Sequence, residues 1–218
     1  MKAVILLCGA VLSAAAVRAA EPWVCTAPGT RLEYALSVRG QQLGQAVKTV
    51  ASFDGSEVLL QAGENGGGDA ERWAVYPDST VLRMEITPGM YAALEQPEVH
   101  NGSLSLPAQM QPGDTLRDLR FSLSAIEQGE REFVSVEYAD CRVVGTERLE
   151  TPAGEFETVR IDMRSVTKTN GAEPLEMPMS QWYARGVGLV RQEIVCPQKD
   201  ALGYKVKSVQ ELVKIVKP

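Results

Sequence analysis

The chain is poor in the side chains that most enzymes use to break bonds. Its 218 residues include one histidine, His100. A Ser-His-Asp relay would have to use it, and the nearby Ser103 and Ser105 stand in no Gly-x-Ser-x-Gly elbow. In the loop-like stretch Pro97-Glu-Val-His-Asn-Gly, a lone histidine reads as a solvated side chain. The four cysteines, Cys8, Cys25, Cys141 and Cys196, form no Cys-x-x-Cys pair. With one histidine beside them, zinc and dithiol redox chemistry lack their usual ligands. No catalytic residue, metal or cofactor is therefore expected. Positive charge is also scarce, with 22 Lys and Arg against 28 Asp and Glu and no basic stripe. Nucleic acid, which needs clustered cations, is an unsuitable partner. Beyond the first residues no apolar run approaches the roughly 18 residues of a membrane helix. Helix signals are nearly missing too. The one candidate is a short helix near Tyr91 to Gln96, which Pro97 would end.

What is present begins with an export signal. Lys2 precedes the small and apolar run Ala3 to Ala16, and Val17-Arg18-Ala19 offers a cleavage site. A signal peptide over 1–19 and a single β domain over 20–218 are expected, in the periplasm or secreted. Lipidation at Cys8 is disfavoured, because Leu7 precedes it and it lies inside the apolar run. Removing the leader takes Lys2 and Arg18 and no acid, so the mature chain is more acidic still. Hydrophobic content of 44% suffices for a packed interior.

Alternation with period two dominates the rest. Leu32, Tyr34, Leu36 and Val38 point one way, and Val58-Leu60, Trp73-Val75, Leu82-Met84, Leu119-Phe121-Leu123, Val134-Val136-Tyr138 and Val159-Ile161-Met163 repeat the pattern. Half-buried antiparallel strands have this period. Turn signals fall between them: Asp54-Gly55, Pro77-Asp78, Pro88-Gly89, Pro112-Gly113, Pro152-Ala-Gly154, Asn170-Gly171 and Gly186-Val-Gly188. Gly63 to Asp69 is Gly-rich, without the Lys-Ser or Lys-Thr of a phosphate cradle, and reads as a mobile loop. The expected fold is all-β: antiparallel meander sheets forming a curved half-barrel or a two-sheet clamshell.

The chain also resembles itself. Pro28-Gly-Thr-Arg-Leu opens one half and Pro112-Gly-Asp-Thr-Leu the other. The Glu71-Arg-Trp hairpin closes the first and the Gln181-Trp-Tyr hairpin the second. Pseudo-repeat halves of about 23–110 and 111–218 follow, with chance likeness between strands as the rival explanation. The last segment, Tyr204 to Val216, alternates lysines with apolar residues. Lys205, Lys207 and Lys214 read as protection of a sheet edge.

An oxidising compartment favours one disulfide among the three mature cysteines. Cys141 and Cys196 lie about three strands apart in a meander, roughly 14 Å, beyond disulfide reach of about 7 Å. Cys25 is thus expected to pair with Cys141 or Cys196. Glu147, Glu150, Glu155 and Glu157 flank one hairpin turn. Two of them could serve as acid and base in a carboxylate hydrolase, but charged residues on a solvated hairpin are the ordinary explanation. Trp73, Trp182 and Tyr183 are the weak candidates for ligand contact. Adjacent on one strand, Trp182 and Tyr183 must face opposite sides.

The stretches Glu147-Arg-Leu-Glu-Thr-Pro-Ala-Gly-Glu-Phe-Glu-Thr-Val-Arg-Ile and Trp182-Tyr-Ala-Arg-Gly-Val-Gly-Leu-Val-Arg resemble the paired hairpins of the TapB-like family of exported bacterial proteins. The strand start Pro28-Gly-Thr-Arg-Leu-Glu-Tyr34 is similar as well. The resemblance implies an association with type IV pili and no catalytic residues, since most members have no assigned activity. A further likeness, to the half-barrel of periplasmic lipoprotein carriers, implies a concave apolar face for a lipid or partner strand. The mature cysteines lie outside the family pattern. The expected function is a non-enzymatic exported β domain of the bacterial envelope that binds a protein partner or a lipid-like, apolar ligand. A carboxylate hydrolase and a purely structural domain are the alternatives.

Overall fold

The structure, a computed structural model, describes residues 20–63, 70–84, 94–199, 203 and 205–218. Thirteen strands and no helix occur among the described residues. They are β1 (Arg31–Val38), β2 (Gln41–Phe53), β3 (Glu57–Ala62), β4 (Ala70–Val75), β5 (Ser79–Met84), β6 (Glu95–His100), β7 (Gly102–Pro107), β8 (Leu119–Glu127), β9 (Glu130–Thr151), β10 (Gly154–Thr169), β11 (Leu175–Ala184), β12 (Gly188–Lys199) and β13 (Lys205–Val216). All pair antiparallel in one sheet of order β6-β8-β9-β10-β11-β12-β13-β1-β2-β3-β4-β5-β7. The expected antiparallel meander is what forms.

The sheet nearly closes on itself through one strand. β6 and β7 end the order on opposite sides, yet only Asn101 separates them. The first half of this run bonds β8, with His100 opposite Ser122, and the second half bonds β5, with Gly102 opposite Met84. Gly102 stands where the partner changes. A Cβ there would lie 2.4 Å from the Arg120 carbonyl oxygen on β8 and 2.9 Å from its carbon. The absent side chain is what lets β7 and β8 meet. A curved sheet that closes in this way is a barrel with its apolar faces inward.

Two six-strand runs meet at the β13–β1 border: β8 to β13 on one side, and β1 to β5 with β7 on the other. Each run starts from a proline-glycine turn, and the turns make the same three backbone bonds. Gly29 donates to Val50, Val50 to Thr30, and Thr30 to Ala27; Gly113 donates to Val143, Val143 to Asp114, and Asp114 to Gln111. Both glycines have positive φ, +83° and +95°, where a side chain would be strained.

The segment before β1 straps one end of the barrel. The Trp23 amide donates to Thr80 Oγ1 at 3.0 Å and its indole nitrogen to the Pro107 carbonyl at 2.8 Å. The Arg185 guanidinium lies 4.1 Å above the Trp23 ring and donates to the Glu21 carbonyl. Trp23, Val24 and Cys25 are buried. The β1–β2, β8–β9 and β10–β11 turns lie at the other end.

Several expectations are corrected here. β13 is no edge: it lies between β12 and β1, so Lys205 and Lys207 decorate an interior strand beside Lys214. Its lysines point out, on the side opposite to the core-facing Leu212 and Ile215. The expected disulfide does not form. Cys25 and Cys141 are buried free thiols and Cys196 a half-buried one. Cys141 donates instead to the Tyr138 carbonyl at 3.4 Å, and three strand spacings do separate it from Cys196. In the expected helix, Glu95 and Gln96 begin β6, whereas 91–93 lie outside the described residues. The signal peptide, most of the Gly63–Asp69 stretch and the Pro88-Gly89 turn also lie outside them.

Candidate functional site

Inside the barrel lies a partly open cavity of about 170 Å3. Strand register explains its lining. On adjacent strands Gln181, Gln192, Gln210, Leu36 and Gly44 stand directly opposite one another. Toward the strapped end follows a level with Val159, Tyr183, Tyr34 and Ala46, and toward the other end one with Met179, Ile194, Ser208 and Val38. A belt of polar groups thus crosses an interior whose remaining lining is largely apolar.

The belt is hydrogen-bonded within itself. The Tyr183 hydroxyl donates to Gln181 Oε1 at 2.9 Å, and Gln181 Nε2 donates to Gln192 Oε1 at 2.7 Å. The Tyr34 hydroxyl donates to the Leu189 carbonyl at 3.0 Å. Lys48 Nζ contacts Glu71 Oε1 at 2.6 Å and lies 5.6 Å from the Tyr34 ring centroid. The Trp73 indole donates to Glu71 Oε2 at 3.5 Å, and its ring meets Tyr183 edge-on at 6.4 Å. Lys48 and Glu71 compensate one another, with side chains 18% and 34% exposed. Buried polar groups are tolerable only when paired in this manner.

Gln192 and Gln210 also line a second space of about 340 Å3, to which Leu36, Val38, Leu43 and Ile194 bring apolar side chains. Leu43, 69% exposed, stands at its lip. Inside the barrel there is thus a small, mainly apolar cavity with the polar groups of the belt set into its wall, and beyond the belt a larger, partly open apolar hollow on β1, β2, β12 and β13. The inner one is close in size to an engineered cavity of about 150 Å3 that admits benzene. A volume of that size has room for a ring-sized group and none for a long chain.

Burial pushes the hydroxyls of Tyr34, Tyr138 and Tyr183 above their ordinary pKa, and the Glu71 carboxylate adds to the effect. At neutral pH the three are neutral hydrogen-bonding groups. Burial, with the charges of Asp118 and Asp140, pushes the Cys141 thiol up to about 11, far from the range of a reactive thiolate.

Of the three sequence candidates, Trp73 and Tyr183 meet in this chamber and Trp182 does not. Trp182, 6% exposed, lies on the outer face between Arg160 and Arg191, 5.3 and 5.8 Å from its ring, and donates to Glu147. Glu147, Glu155 and Glu157 are exposed beside an outer hollow of about 540 Å3 shared with Trp23, Phe156 and Arg185; Glu150 is exposed on the same hairpin. His100 is exposed at the end of β6. No group of three metal-ligating side chains occurs among the described residues. Sequence reasoning overlooked Lys48, Glu71, Gln181, Gln192 and Gln210. The available signal was a polar residue on an otherwise apolar face, as in Met179-x-Gln181-x-Tyr183 and Val190-x-Gln192-x-Ile194.

Residues 89–206, more than half of the chain, match the model of the DUF3108-like family. The chain belongs to that family. The TapB-like resemblance of its two hairpins is not what this match returns. The DUF3108-like chain superposes on a candidate lipoprotein of Parabacteroides distasonis with a TM-score of 0.68 at 15% identity, covering 91% of this chain and 100% of that one. It superposes on a candidate exported protein of Bacteroides fragilis, described as having a YmcC-like fold, with a TM-score of 0.64 at 19% identity, covering 90% and 100%. At these identities the likeness is one of fold. Among curated proteins nothing matches.

Proposed function

We propose that this protein is a non-enzymatic, exported domain of the bacterial envelope that binds an apolar ligand inside its barrel. The observation that carries the reading is the apolar hollow of Leu36, Val38, Leu43 and Ile194, which borders a hydrogen-bonded belt at Gln192 and Gln210. Ligand sites have this composition: apolar walls with a few fixed polar groups. The descriptions of the two fold neighbours, a lipoprotein and an exported protein, support an envelope location, in the periplasm or beyond it. From the resemblance of the two hairpins to the TapB-like family, the proposal extends to pilus or envelope assembly, with a protein partner as the alternative occupant.

The experiment is native mass spectrometry of the protein purified from its own envelope. An adduct that organic extraction removes, and that Leu43→Glu with Ile194→Glu abolishes, is the expected result. Repeated preparations free of any adduct would overturn the reading.

A further inference from the structure

We propose that the ligand is a single-chain amphiphile with an uncharged, hydroxyl-bearing head, such as a monoacylglycerol. The head occupies the belt and the chain occupies the outer chamber. The inference rests on the apolar-ligand reading above and adds which head the barrel selects.

The sizes decide the orientation. The inner cavity of about 170 Å3 has room for a compact head against the belt groups in its wall and none for a long chain, and the open apolar hollow of about 340 Å3 suits the chain. Gln192 and Gln210, opposite each other on β12 and β13, line both spaces and mark the border between them. An amide both donates and accepts, as a hydroxyl does. Carbon chain on one side and amides on the other match an amphiphile with its polar end inward.

The charge at the belt decides the head. Lys48 and Glu71 face the chamber and neutralise each other at 2.6 Å. The other polar side chains of the lining, Tyr34, Trp73, Tyr138, Tyr183 and the three glutamines, carry no charge at neutral pH. A fatty-acid carboxylate would bring a third, unmatched charge beside Glu71. A quaternary ammonium would do the same beside Lys48. An uncompensated ion in a half-buried site is expensive, whereas a diol is free of that cost.

Calorimetric titration of the mature chain with three laurate-length probes tests this: monolaurin, laurate and dodecyltrimethylammonium, each below its critical micelle concentration. Monolaurin is expected to bind at least tenfold more tightly than either ion. Glu71→Gln leaves Lys48 unpaired and should turn the preference toward laurate. Lys48→Gln leaves Glu71 unpaired and should turn it toward dodecyltrimethylammonium. Should either variant fail to fold, the wild-type ranking decides, together with Gln210→Leu. That change spares the ion pair and should weaken monolaurin several-fold. Equal affinity for all three probes, or a preference for an ion, overturns the neutral-head proposal and leaves the apolar-ligand reading standing. Binding of none of them overturns both.

Discussion

Replacing Gly102 by alanine should loosen the barrel at its seam. The added methyl would sit 2.4 Å from the Arg120 carbonyl oxygen and 2.9 Å from its carbon, both backbone atoms. The Leu119 side chain lies 3.2 Å from the same point. A flexible neighbour could move aside, but a strand paired to β9 along its whole length cannot move cheaply. The φ of Gly102 is not in the left-handed region, so the effect is one of space alone. Overpacking of this kind costs about 1–3 kcal/mol, which for a domain of this size lowers Tm by about 2–12 °C. Gly44 is the matched control. Its Cβ position is open within 4 Å and it also lacks a positive φ, so Gly44→Ala should stabilise by about 0.4–1 kcal/mol through the unfolded chain. Urea unfolding of both variants, with hydrogen exchange on β6 to β8, makes the comparison. Exchange should accelerate at the seam only in Gly102→Ala. If that variant is as stable as the parent, β7 and β8 do not close the barrel, and the reasoning fails.

Tyr34→Phe removes the donor to the half-buried Leu189 carbonyl and should cost about 1–3 kcal/mol in chemical denaturation, with a change under 0.5 kcal/mol counting against the bond. Cys141, buried and with its thiol pushed up to about 11, should resist iodoacetamide at pH 8 in the native state, while half-buried Cys196 reacts; mass mapping showing equal labelling would contradict this. For Glu193, burial raises the carboxyl pKa, but hydrogen bonds from Lys207 at 2.6 Å and Arg191 at 2.9 Å outweigh it and hold the value below normal. A depressed folded value means that the stabilisation is complete above the ordinary carboxylate pKa and disappears as pH falls through the folded one. Glu193→Gln should therefore flatten the acid limb of a stability–pH curve and leave its alkaline limb unchanged.

The amino-acid order by itself decided the strands and most turns. Residues that alternate at period two can bury only one side, so Leu32-x-Tyr34-x-Leu36 had to lie on a sheet facing a core. Glycines such as Gly29, Gly55 and Gly171 hold positive φ where the chain must reverse. The facing of Tyr183 away from Trp182 was legible for the same reason. The neighbour of each strand was a different matter. A lysine-bearing last strand looks like an edge in isolation, yet β13 is clasped between β12 and β1, since the barrel brings the first and last described strands together. The switch of partner at Gly102, the pairing of Lys48 with Glu71 and the alignment of Gln181, Gln192 and Gln210 arise only when strands distant in sequence come into register. Alternation tells a residue which side of its own strand it occupies. Only closure of the sheet settles what it meets there, because that depends on the stagger and tilt of every strand around the ring.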